Sequence, residues 1–295
     1  MTAEILNGTQ IATTIREELK SEVAKLKEQG VVPGLGVILV GENPASISYV
    51  TAKERACEEI GLFSSDNRLP ATCTEAELLD LIGRMNRDPK INGILVQLPL
   101  PKHINENKVL NAILPEKDVD GFHPVNVGKM LIGEKAFLPC TPHGVLQILK
   151  RSGVKTSGAH VVVVGRSNIV GKPVAAMLMQ KTEMGNATVT VCHTGTKDMG
   201  YHTRQADIII AAAGAPKVIT ADMVKPGAVV IDVGVNRVAD PTAKKGYRLV
   251  GDVDYEAVKE KASKITPVPG GVGPMTITML LWNTVESAKM ASKLA

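Results

Sequence analysis

A tyrosine and a lysine four residues apart are the first candidates for chemistry in this chain. Tyr49 and Lys53 lie in a predicted helix that begins after Asn43-Pro44 and extends to about Ile60, so both side chains share one helix face. A lysine that is partly desolvated beside a tyrosine hydroxyl loses its proton more easily and can act in acid–base catalysis. An ordinary amphipathic surface helix shows the same spacing, so the pair needs support from elsewhere in the sequence.

Two further polar features follow in the first third of the chain. Gln97 lies inside the predicted apolar strand Ile94–Leu98, and a buried glutamine needs hydrogen-bond partners, either in the core or in a ligand site. Lys117-Asp-Val-Asp-Gly121 places two carboxylates just before a glycine. By itself this pattern is more typical of an exposed acidic turn than of a binding site.

A glycine-bounded turn in the second half is a candidate phosphate site. Gly165-Arg-Ser-Asn-Ile-Val-Gly171 follows the strand Val161–Val164 and precedes a helix, where backbone N–H groups attract an anion. Its spacing is not G-x-G-x-x-G, so a tight turn without a ligand is the alternative. The next strand, Ala187–Val191, continues into Cys192-His193-Thr194 without the carboxylate that holds ribose hydroxyls in NAD-binding folds. Because Arg166 would attract a 2′-phosphate, the turn favours NADP.

The segment Thr266–Thr276 contains three prolines and three glycines in 11 residues. It exposes backbone groups and leads into the last helix. From this pattern alone, a ligand-binding loop and a plain linker are equally good interpretations of the segment.

Two series of alternating helices and strands carry these residues. The N-terminal third has the order helix, strand, helix, strand, helix, strand, which predicts right-handed βαβ crossovers. After a loop-rich region, Leu114–Thr141, a second series predicts a doubly wound parallel sheet. Its strands are Val161–Val164, Ala187–Val191, Asp207–Ala211 and Ala228–Val233. We therefore expect two domains, residues 1–120 with the C-terminal helix 275–295 packing back on it, and residues 140–274.

The composition excludes several classes of protein. Only 3% of the 295 residues are aromatic, which argues against a base-stacking surface, and a net charge of +4 does not call for nucleic acid. The four cysteines are scattered, no Cys or His set has metal-ligand spacing, and no apolar run reaches a membrane span. Since the N-terminus carries no secretory signal, we expect a cytoplasmic protein with free thiols, no metal, no nucleic acid and no membrane partner.

Taken together and in this order, the motifs resemble one family, the bifunctional methylenetetrahydrofolate dehydrogenase/methenyltetrahydrofolate cyclohydrolases. The resemblance runs from near residue 5 to near residue 290. It rests on six segments: Tyr49–Lys53, Gly93–Pro101, Pro115–Gly121, Pro139–Pro142, Val164–Ser167 and Thr266–Thr276.

The resemblance implies two α/β domains flanking a cleft, the second a Rossmann-type doubly wound parallel sheet, in a homodimer. It implies that 5,10-methylenetetrahydrofolate is oxidised with NADP⁺ to 5,10-methenyltetrahydrofolate, which is then hydrolysed to 10-formyltetrahydrofolate. These reactions belong to one-carbon metabolism and supply purine biosynthesis. The mild positive charge would suit folates with a polyglutamate tail.

The resemblance also implies roles for individual residues. Lys53 would be the main catalytic residue of the hydrolysis, Tyr49 would orient the folate, Gln97 would hold Lys53, and Asp120 would bind the pterin. The implied folate contacts are Tyr49, Lys53, Val96, Gln97, Leu98, Asp120, Pro267, Gly270, Gly271, Gly273 and Pro274. The implied cofactor contacts are Gly165, Arg166, Ser167, Thr194 and Val235.

One departure and two rival interpretations stand beside this resemblance. Where many relatives have Cys-His-Ser, this chain has Thr194, which keeps a hydroxyl and argues against the arginine-dependent NAD mode of mitochondrial relatives. A non-enzymatic nucleotide sensor of the same fold would keep Gly165–Gly171 but has no reason to keep Lys53 with Gln97. A shikimate-type dehydrogenase would use NADP without folate.

Overall fold

The computed structural model describes residues 2–243 and 246–294, which form two α/β units. One, the three-stranded unit, joins Thr13–Cys140 with the chain from Ile277 onward. The other, the six-stranded unit, joins the chain up to Ala12 with Thr141–Thr276.

The strands are β1 (Glu4–Ile5), β2 (Gly34–Val40), β3 (Phe63–Leu69), β4 (Gly93–Val96), β5 (His160–Val164), β6 (Thr188–Cys192), β7 (Ile208–Ala211), β8 (Val229–Asp232), β9 (Asn236–Ala239), β10 (Tyr247–Val250) and β11 (Lys264–Ile265). The α-helices are α1 (Gly8–Glu28), α2 (Pro44–Ile60), α3 (Glu75–Arg87), α4 (Glu106–Ala112), α5 (Pro124–Ile132), α6 (Cys140–Arg151), α7 (Gly171–Met179), α8 (Met199–Thr203), α9 (Tyr255–Lys259) and α10 (Val272–Ala291). None of these helices is both long and apolar enough to cross a bilayer.

The three-stranded unit is a parallel sheet in the order β3-β2-β4. The central strand β2 is apolar and buried along its whole length, as is usual for a parallel strand covered on both faces. α2 connects β2 to β3, and α3 connects β3 to β4. The capping box that opens α3 forms as the sequence predicts, with Glu77 N–H donating to Thr74 Oγ1 at 3.2 Å and Thr74 N–H to Glu77 Oε2 at 2.7 Å.

The six-stranded unit is a parallel sheet in the order β1-β11-β8-β7-β5-β6. The chain leaves β5 to one side for β6 and then crosses to the other side for β7. This reversal is the switch point of a Rossmann-type sheet, which confirms the predicted doubly wound fold. β9 and β10 form a separate antiparallel pair.

Three details of the structure differ from the sequence-based expectations. β4 ends at Val96, so Gln97 lies just beyond the strand rather than inside it, although its N–H still donates to Ile38 O at 2.9 Å. The first domain was expected to begin at residue 1, but the N-terminal strand β1 pairs with β11 in the six-stranded sheet, because β11 otherwise leaves an unpaired edge there. The region 114–141 is not only loop, since it contains α5.

α10 packs within the three-stranded unit along its later turns. Its Asn283 amide donates to the carbonyls of Val119 (2.8 Å) and Leu138 (2.9 Å). Its Ser287 hydroxyl donates to the carbonyls of Asn92 (2.7 Å) and Glu116 (2.8 Å). The helix thus stabilises the segment that leads from β4 to Gly121 and the one that precedes α6.

Candidate active site

Lys53 occupies the buried stripe of α2. The buried positions of this helix include Ser46, Val50, Lys53, Cys57 and Ile60, which recur at intervals of three or four residues and so face one side. A stripe of this kind normally carries apolar side chains that pack on the sheet. Here the helix places an amine only 8% exposed among them, which requires a polar partner.

Gln97 is that partner. Lys53 Nζ donates to Gln97 Oε1 at 2.9 Å, and Gln97 Nε2 donates to the carbonyl of Leu98 at 2.8 Å. The second bond fixes the orientation of the amide, because only its nitrogen can donate to a carbonyl. The oxygen is therefore turned toward the lysine, and the contact predicted from the resemblance is present.

Asp120 and Cys140 complete the charged surroundings of Lys53. Burial lowers the pKa of Lys53, while the nearby Asp120, Cys140 and Cys57 act to raise it. Burial raises the pKa of Asp120, and the Lys53 ammonium and a hydrogen bond with the Cys140 thiol oppose that rise. Burial is the largest cause in both cases, so it shifts each pKa toward the uncharged form, while the attraction between the two charges acts in the opposite direction.

The turn that carries Asp120 is organised by a second carboxylate, Asp118. Asp118 is 2% exposed and accepts the backbone N–H groups of Phe122 (3.2 Å) and His123 (2.8 Å) and the side-chain amide of Asn126 (2.8 Å). Burial raises its pKa to about 6. The two acids of the Lys117–Gly121 motif therefore differ in role: Asp118 holds the turn, and Asp120 faces Lys53.

The other predicted residues of this unit differ in exposure. Tyr49, one turn before Lys53 on α2, is half exposed, which leaves its ring free to contact a ligand. Val96 is buried in the core, and Leu98 is half-buried. A contact from Val96 to a ligand would therefore use its backbone.

In the six-stranded unit, the turn after β5 accepts only glycine at both ends. A Cβ added at Gly165, whose φ is 134°, would lie 2.1 Å from Ala212 O, and one at Gly171 would lie 2.2 Å from Gly165 O. Between them, Ser167 Oγ accepts the N–H groups of Val170 (3.1 Å) and Gly171 (3.4 Å). The turn is thus closely packed against the segment that follows β7.

The register of the sheet places Arg166 and Thr194 in neighbouring loops at the same end of the sheet. Val164 of β5 pairs with Cys192 of β6, and each polar residue lies two positions beyond its member of that pair. Both side chains are exposed, as is Val235 beyond β8. These three positions follow the carboxyl ends of β5, β6 and β8, the edge at which such sheets bind ligands.

The Pro/Gly segment packs on the start of α1. Thr9 N–H donates to Gly270 O at 3.0 Å, and a Cβ added at Gly8 would lie 1.8 Å from Gly271 O. The Val268–Pro269 peptide bond is cis, and Gly270 has a φ of 96°. Pro267 and Pro274 are half-buried and Gly273 is exposed, so part of the segment is accessible to a ligand.

Two family models match the chain. Residues 6–120 match the model of the tetrahydrofolate dehydrogenase/cyclohydrolase catalytic domain, and residues 139–292 match the NAD(P)-binding domain of the same family. A bifunctional protein FolD from Syntrophus aciditrophicus (strain SB) is 63% identical over 294 residues, which cover 100% of both proteins.

The chain belongs to the tetrahydrofolate dehydrogenase/cyclohydrolase family.

Solved structures of members of this family agree with the fold. A bifunctional FolD methylenetetrahydrofolate dehydrogenase/cyclohydrolase from Campylobacter jejuni is 51% identical, with a TM-score of 0.92 over 98% of this chain and 99% of that one. The Trypanosoma brucei methylenetetrahydrofolate dehydrogenase-cyclohydrolase, solved with NADP and an inhibitor, is 41% identical, with a TM-score of 0.94 over 99% of both chains.

Membership of the family confirms the expected activities. The enzyme oxidises 5,10-methylenetetrahydrofolate to 5,10-methenyltetrahydrofolate with NADP⁺ and hydrolyses the product to 10-formyltetrahydrofolate. It is thus both an oxidoreductase and a hydrolase of one-carbon folate metabolism. The sensor and shikimate-type interpretations are not supported.

Sequence reasoning missed two polar groups around the turn that carries Asp120. Asp118 was visible only as one of two acids in an apparently exposed turn, although its spacing to Asn126 places both on the same short turn-to-helix segment. Cys140 was part of the family resemblance without a role. Its buried thiol donates to Val119 O at 3.3 Å, next to Asp120. Among the residues that the structure describes, no cluster of His, Cys, Asp and Glu could hold a metal ion.

Proposed function

We propose that Lys53 is the acid–base group of the hydrolytic step, that Gln97 and Asp120 set its charge, and that Tyr49 orients the folate. The observation that carries this proposal is the 2.9 Å hydrogen bond from a buried lysine amine to the glutamine amide, with a carboxyl group beside it. Burial favours the neutral amine, and only a neutral amine can accept a proton.

The chemistry of the substrate suits a neutral lysine. The methenyl group carries a positive charge on its N–C–N unit, and a second cation next to it would be repelled. When water attacks the methenyl carbon, a C–O bond forms, and Lys53 can take the proton that the water loses. The same proton can then pass to the folate nitrogen whose bond to that carbon breaks. As this C–N bond breaks, the new hydroxyl group loses its proton to water and becomes the formyl C=O on the other nitrogen, so one proton is released overall.

Asp120 complements this chemistry. Its carboxylate would accept hydrogen bonds from the pterin N–H groups and would balance the charge of the methenyl cation. The preceding dehydrogenation also develops positive charge at this carbon, so an uncharged Lys53 favours both steps. The lowered pKa of Lys53 would thereby favour both the dehydrogenation and the hydrolysis.

Replacement of Lys53 tests this proposal. Lys53→Met should lower the hydrolysis of methenyltetrahydrofolate by about 10²–10⁴-fold, the usual contribution of a general acid–base group. Arg55→Met, which removes an exposed cation from the same helix, is the matched control and should retain activity. A folded Lys53→Met protein with near-normal cyclohydrolase activity would rule the assignment out.

For the cofactor, we propose Gly165, Arg166, Ser167, Thr194 and Val235 as contacts. The residues fit NADP: the turn allows no side chain at Gly165 or Gly171, so the backbone can approach a phosphate, and Arg166 is exposed beside it. The residues at the end of β6, Cys192-His193-Thr194, include no carboxylate that would repel a 2′-phosphate. NADP⁺, when bound, accepts the hydride from the methylene group.

We further propose that Pro267–Pro274 contributes folate contacts, on the support of the family resemblance.

We also propose that the enzyme is a homodimer in the cytoplasm and that its product supplies purine biosynthesis. The family resemblance supports the dimer and the metabolic role, and the four free, buried cysteines suit a reducing compartment. Sedimentation equilibrium should give twice the chain mass of 31.3 kDa. A species of single-chain mass across the concentration range would refute the dimer.

A further inference from the structure

Two buried carboxylates lie behind the loops that follow β7 and β8 in the six-stranded unit. Asp232 is the last residue of β8 and is 2% exposed, and Asp252, two residues beyond β10, is 0% exposed. Neither residue is among the proposed cofactor contacts. Buried carboxylates are costly unless their oxygens accept hydrogen bonds, so the partners of these two show what they hold in place.

Asp252 joins two loops. Its Oδ2 accepts the backbone N–H groups of Ala213 (2.6 Å) and Gly214 (2.8 Å), in the loop after β7. Its Oδ1 accepts the side-chain amide of Asn236 at 2.8 Å, at the end of the loop after β8. A single side chain therefore fixes the separation of the two loops.

Asp232 in turn holds Asp252. Its Oδ1 accepts the N–H groups of Asp252 (2.9 Å) and Gly234 (3.0 Å), and its Oδ2 accepts Val253 N–H at 3.0 Å. The Asp232 N–H donates to Thr266 Oγ1 at 2.7 Å. One continuous hydrogen-bonded network thus joins Asp232, Asp252, Asn236 and Thr266.

Two glycines allow the carboxylates to approach the backbone this closely. A Cβ added at Gly234 would lie 2.0 Å from Asp252 Oδ1, and one at Gly251 would lie 1.8 Å from Asp232 Oδ2. The matching segments Asp232-Val-Gly234 and Gly251-Asp-Val253 thus fit each other reciprocally. Such a network leaves the loops little freedom.

The loops held in this way border the cofactor turn. Ala212 O is the atom that a side chain at Gly165 would strike, so the β7 loop lies against the turn. Val235, a proposed cofactor contact, lies between Gly234 and Asn236, both of which the network holds. Ligands of Rossmann-type sheets bind beyond these strand ends, next to the switch point.

We infer that Asp252, supported by Asp232, is a positioning residue for NADP: it acts through the loops after β7 and β8 and sets the geometry in which they receive the cofactor. The inference rests on the proposed cofactor contacts. It assigns to a buried carboxylate outside the three-stranded unit an effect on one of the two activities only.

The first test is Asp252→Ala, with the cyclohydrolase reaction as an internal measure of folding because that step needs no cofactor. Loss of the acceptor for the N–H groups of Ala213 and Gly214 should raise the KM for NADP⁺ by about tenfold or more, with methenyltetrahydrofolate hydrolysis within about twofold of the wild type. Asp252→Asn should recover most of the affinity for NADP⁺. Its amide oxygen can still accept the N–H groups of Ala213 and Gly214, and its amide nitrogen can donate to Asn236 if the side-chain amide of Asn236 rotates by 180°.

Asp207→Ala is the matched control. Asp207 accepts a backbone N–H, that of His160, at 2.8 Å, but at the amino ends of β5 and β7, whereas the cofactor turn follows the carboxyl end of β5. Its replacement should leave the NADP⁺ KM unchanged. Equal losses in Asp252→Ala and Asp207→Ala would show a merely structural role and overturn the inference, as would wild-type NADP⁺ affinity in a folded Asp252→Ala protein.

Asn236→Ala keeps the inference falsifiable if Asp252→Ala does not fold. This half-buried side chain contributes one hydrogen bond to the network, so its loss should raise the NADP⁺ KM by about threefold. An unchanged KM would overturn the inference. Arg166→Ala separates this outcome from failure of the proposed cofactor contacts: if Arg166→Ala also leaves NADP⁺ binding unchanged, the contacts themselves are misassigned.

Discussion

Lys53 takes a position that its helix would otherwise give to an apolar side chain, and Gln97 is what makes that position tolerable. A carboxylate in place of the amide would stabilise the ammonium form instead. Gln97→Glu should therefore raise the pKa of Lys53, since an opposite charge at this distance shifts a pKa by about 1–3 units. The acid limb of the cyclohydrolase pH–rate profile should move to higher pH by that amount.

The control for this prediction is Gln97→Met, which removes the acceptor without adding charge. It should lower the rate without moving the acid limb upward. An identical profile for Gln97→Glu and the wild type would show that another group titrates in the reaction.

Asp120 should act on the folate side alone. Its half-buried carboxyl lies among Lys53 and Cys140, within the three-stranded unit, and none of the proposed cofactor contacts belongs to that unit. Asp120→Ala should weaken folate binding and leave NADP⁺ affinity nearly unchanged, as measured by calorimetry with each ligand. Equal weakening of both would point to a structural role.

Arg166 should discriminate between the two dinucleotides. A charge-assisted hydrogen bond to a 2′-phosphate contributes about 1.5–3 kcal/mol, so Arg166→Ala should raise the NADP⁺ KM about 10- to 150-fold and leave the NAD⁺ value almost the same. The ratio of kcat/KM values for the two cofactors measures this, with and without inorganic phosphate and magnesium. NAD⁺ equal to NADP⁺ in the wild type, or strong activation by phosphate, would contradict it.

At the scale of the element, the turn after β5 depends on close backbone packing. Gly165→Ala combines a positive φ with a Cβ that would strike Ala212 O, so the turn must shift and NADP⁺ affinity should fall at least about tenfold. Gly158→Ala is the matched control, since Gly158 also has a positive φ, of 77°, but nothing within 4 Å of its added Cβ. If the two substitutions lowered NADP⁺ affinity to a similar extent, backbone strain at a positive φ, and not the close approach of Ala212 O, would explain why glycine is needed at position 165.

Elements whose local signals agree could be predicted from the sequence, and those with divided signals could not. Asn43-Pro44 correctly marked the start of α2 because capping, proline geometry and periodicity coincide there. α5 was missed because Pro124 and Gly133 look like loop residues. In the structure Pro124 is at the first helical position and Gly133, at φ 79°, ends the helix.

The functional residues also separate into those that local sequence predicts and those that it does not. The helical spacing of Tyr49 and Lys53 and the glycine-bounded turn at Gly165 are local patterns, so the sequence predicts them. The partners of Asp252 are not: Ala213 lies 39 positions away, and the bond forms only once β7 and β8 are side by side. In the sequence, an acidic residue without a nearby cation is interpreted as exposed. In the folded sheet, Asp252 is buried and accepts three hydrogen bonds.

At the scale of the whole molecule, each unit buries one carboxyl group whose pKa burial raises to about 6, Asp118 in one and Asp232 in the other. The ordinary value is 3.8. Between these values the folded protein holds the proton more tightly than the unfolded chain, so the stability that each group contributes falls as the pH rises from about 4 to about 6. Below this window the burial carries no ionisation cost, and above it the cost is complete.

Asparagine substitutions should remove this pH dependence. Asp118→Asn and Asp232→Asn lose hydrogen bonds at every pH, which adds a constant cost, but neither side chain ionises. The free energy of unfolding of the wild type minus that of either variant should therefore fall by about 2 kcal/mol between pH 4 and pH 7, which is most of the effect of a shift of about two pKa units. Urea denaturation at several pH values measures this difference, in which the exposed carboxylates common to both proteins cancel. A difference that stays constant, or that grows as the pH rises, would mean that these carboxylates are stabilised by their backbone N–H donors more than they are penalised by burial.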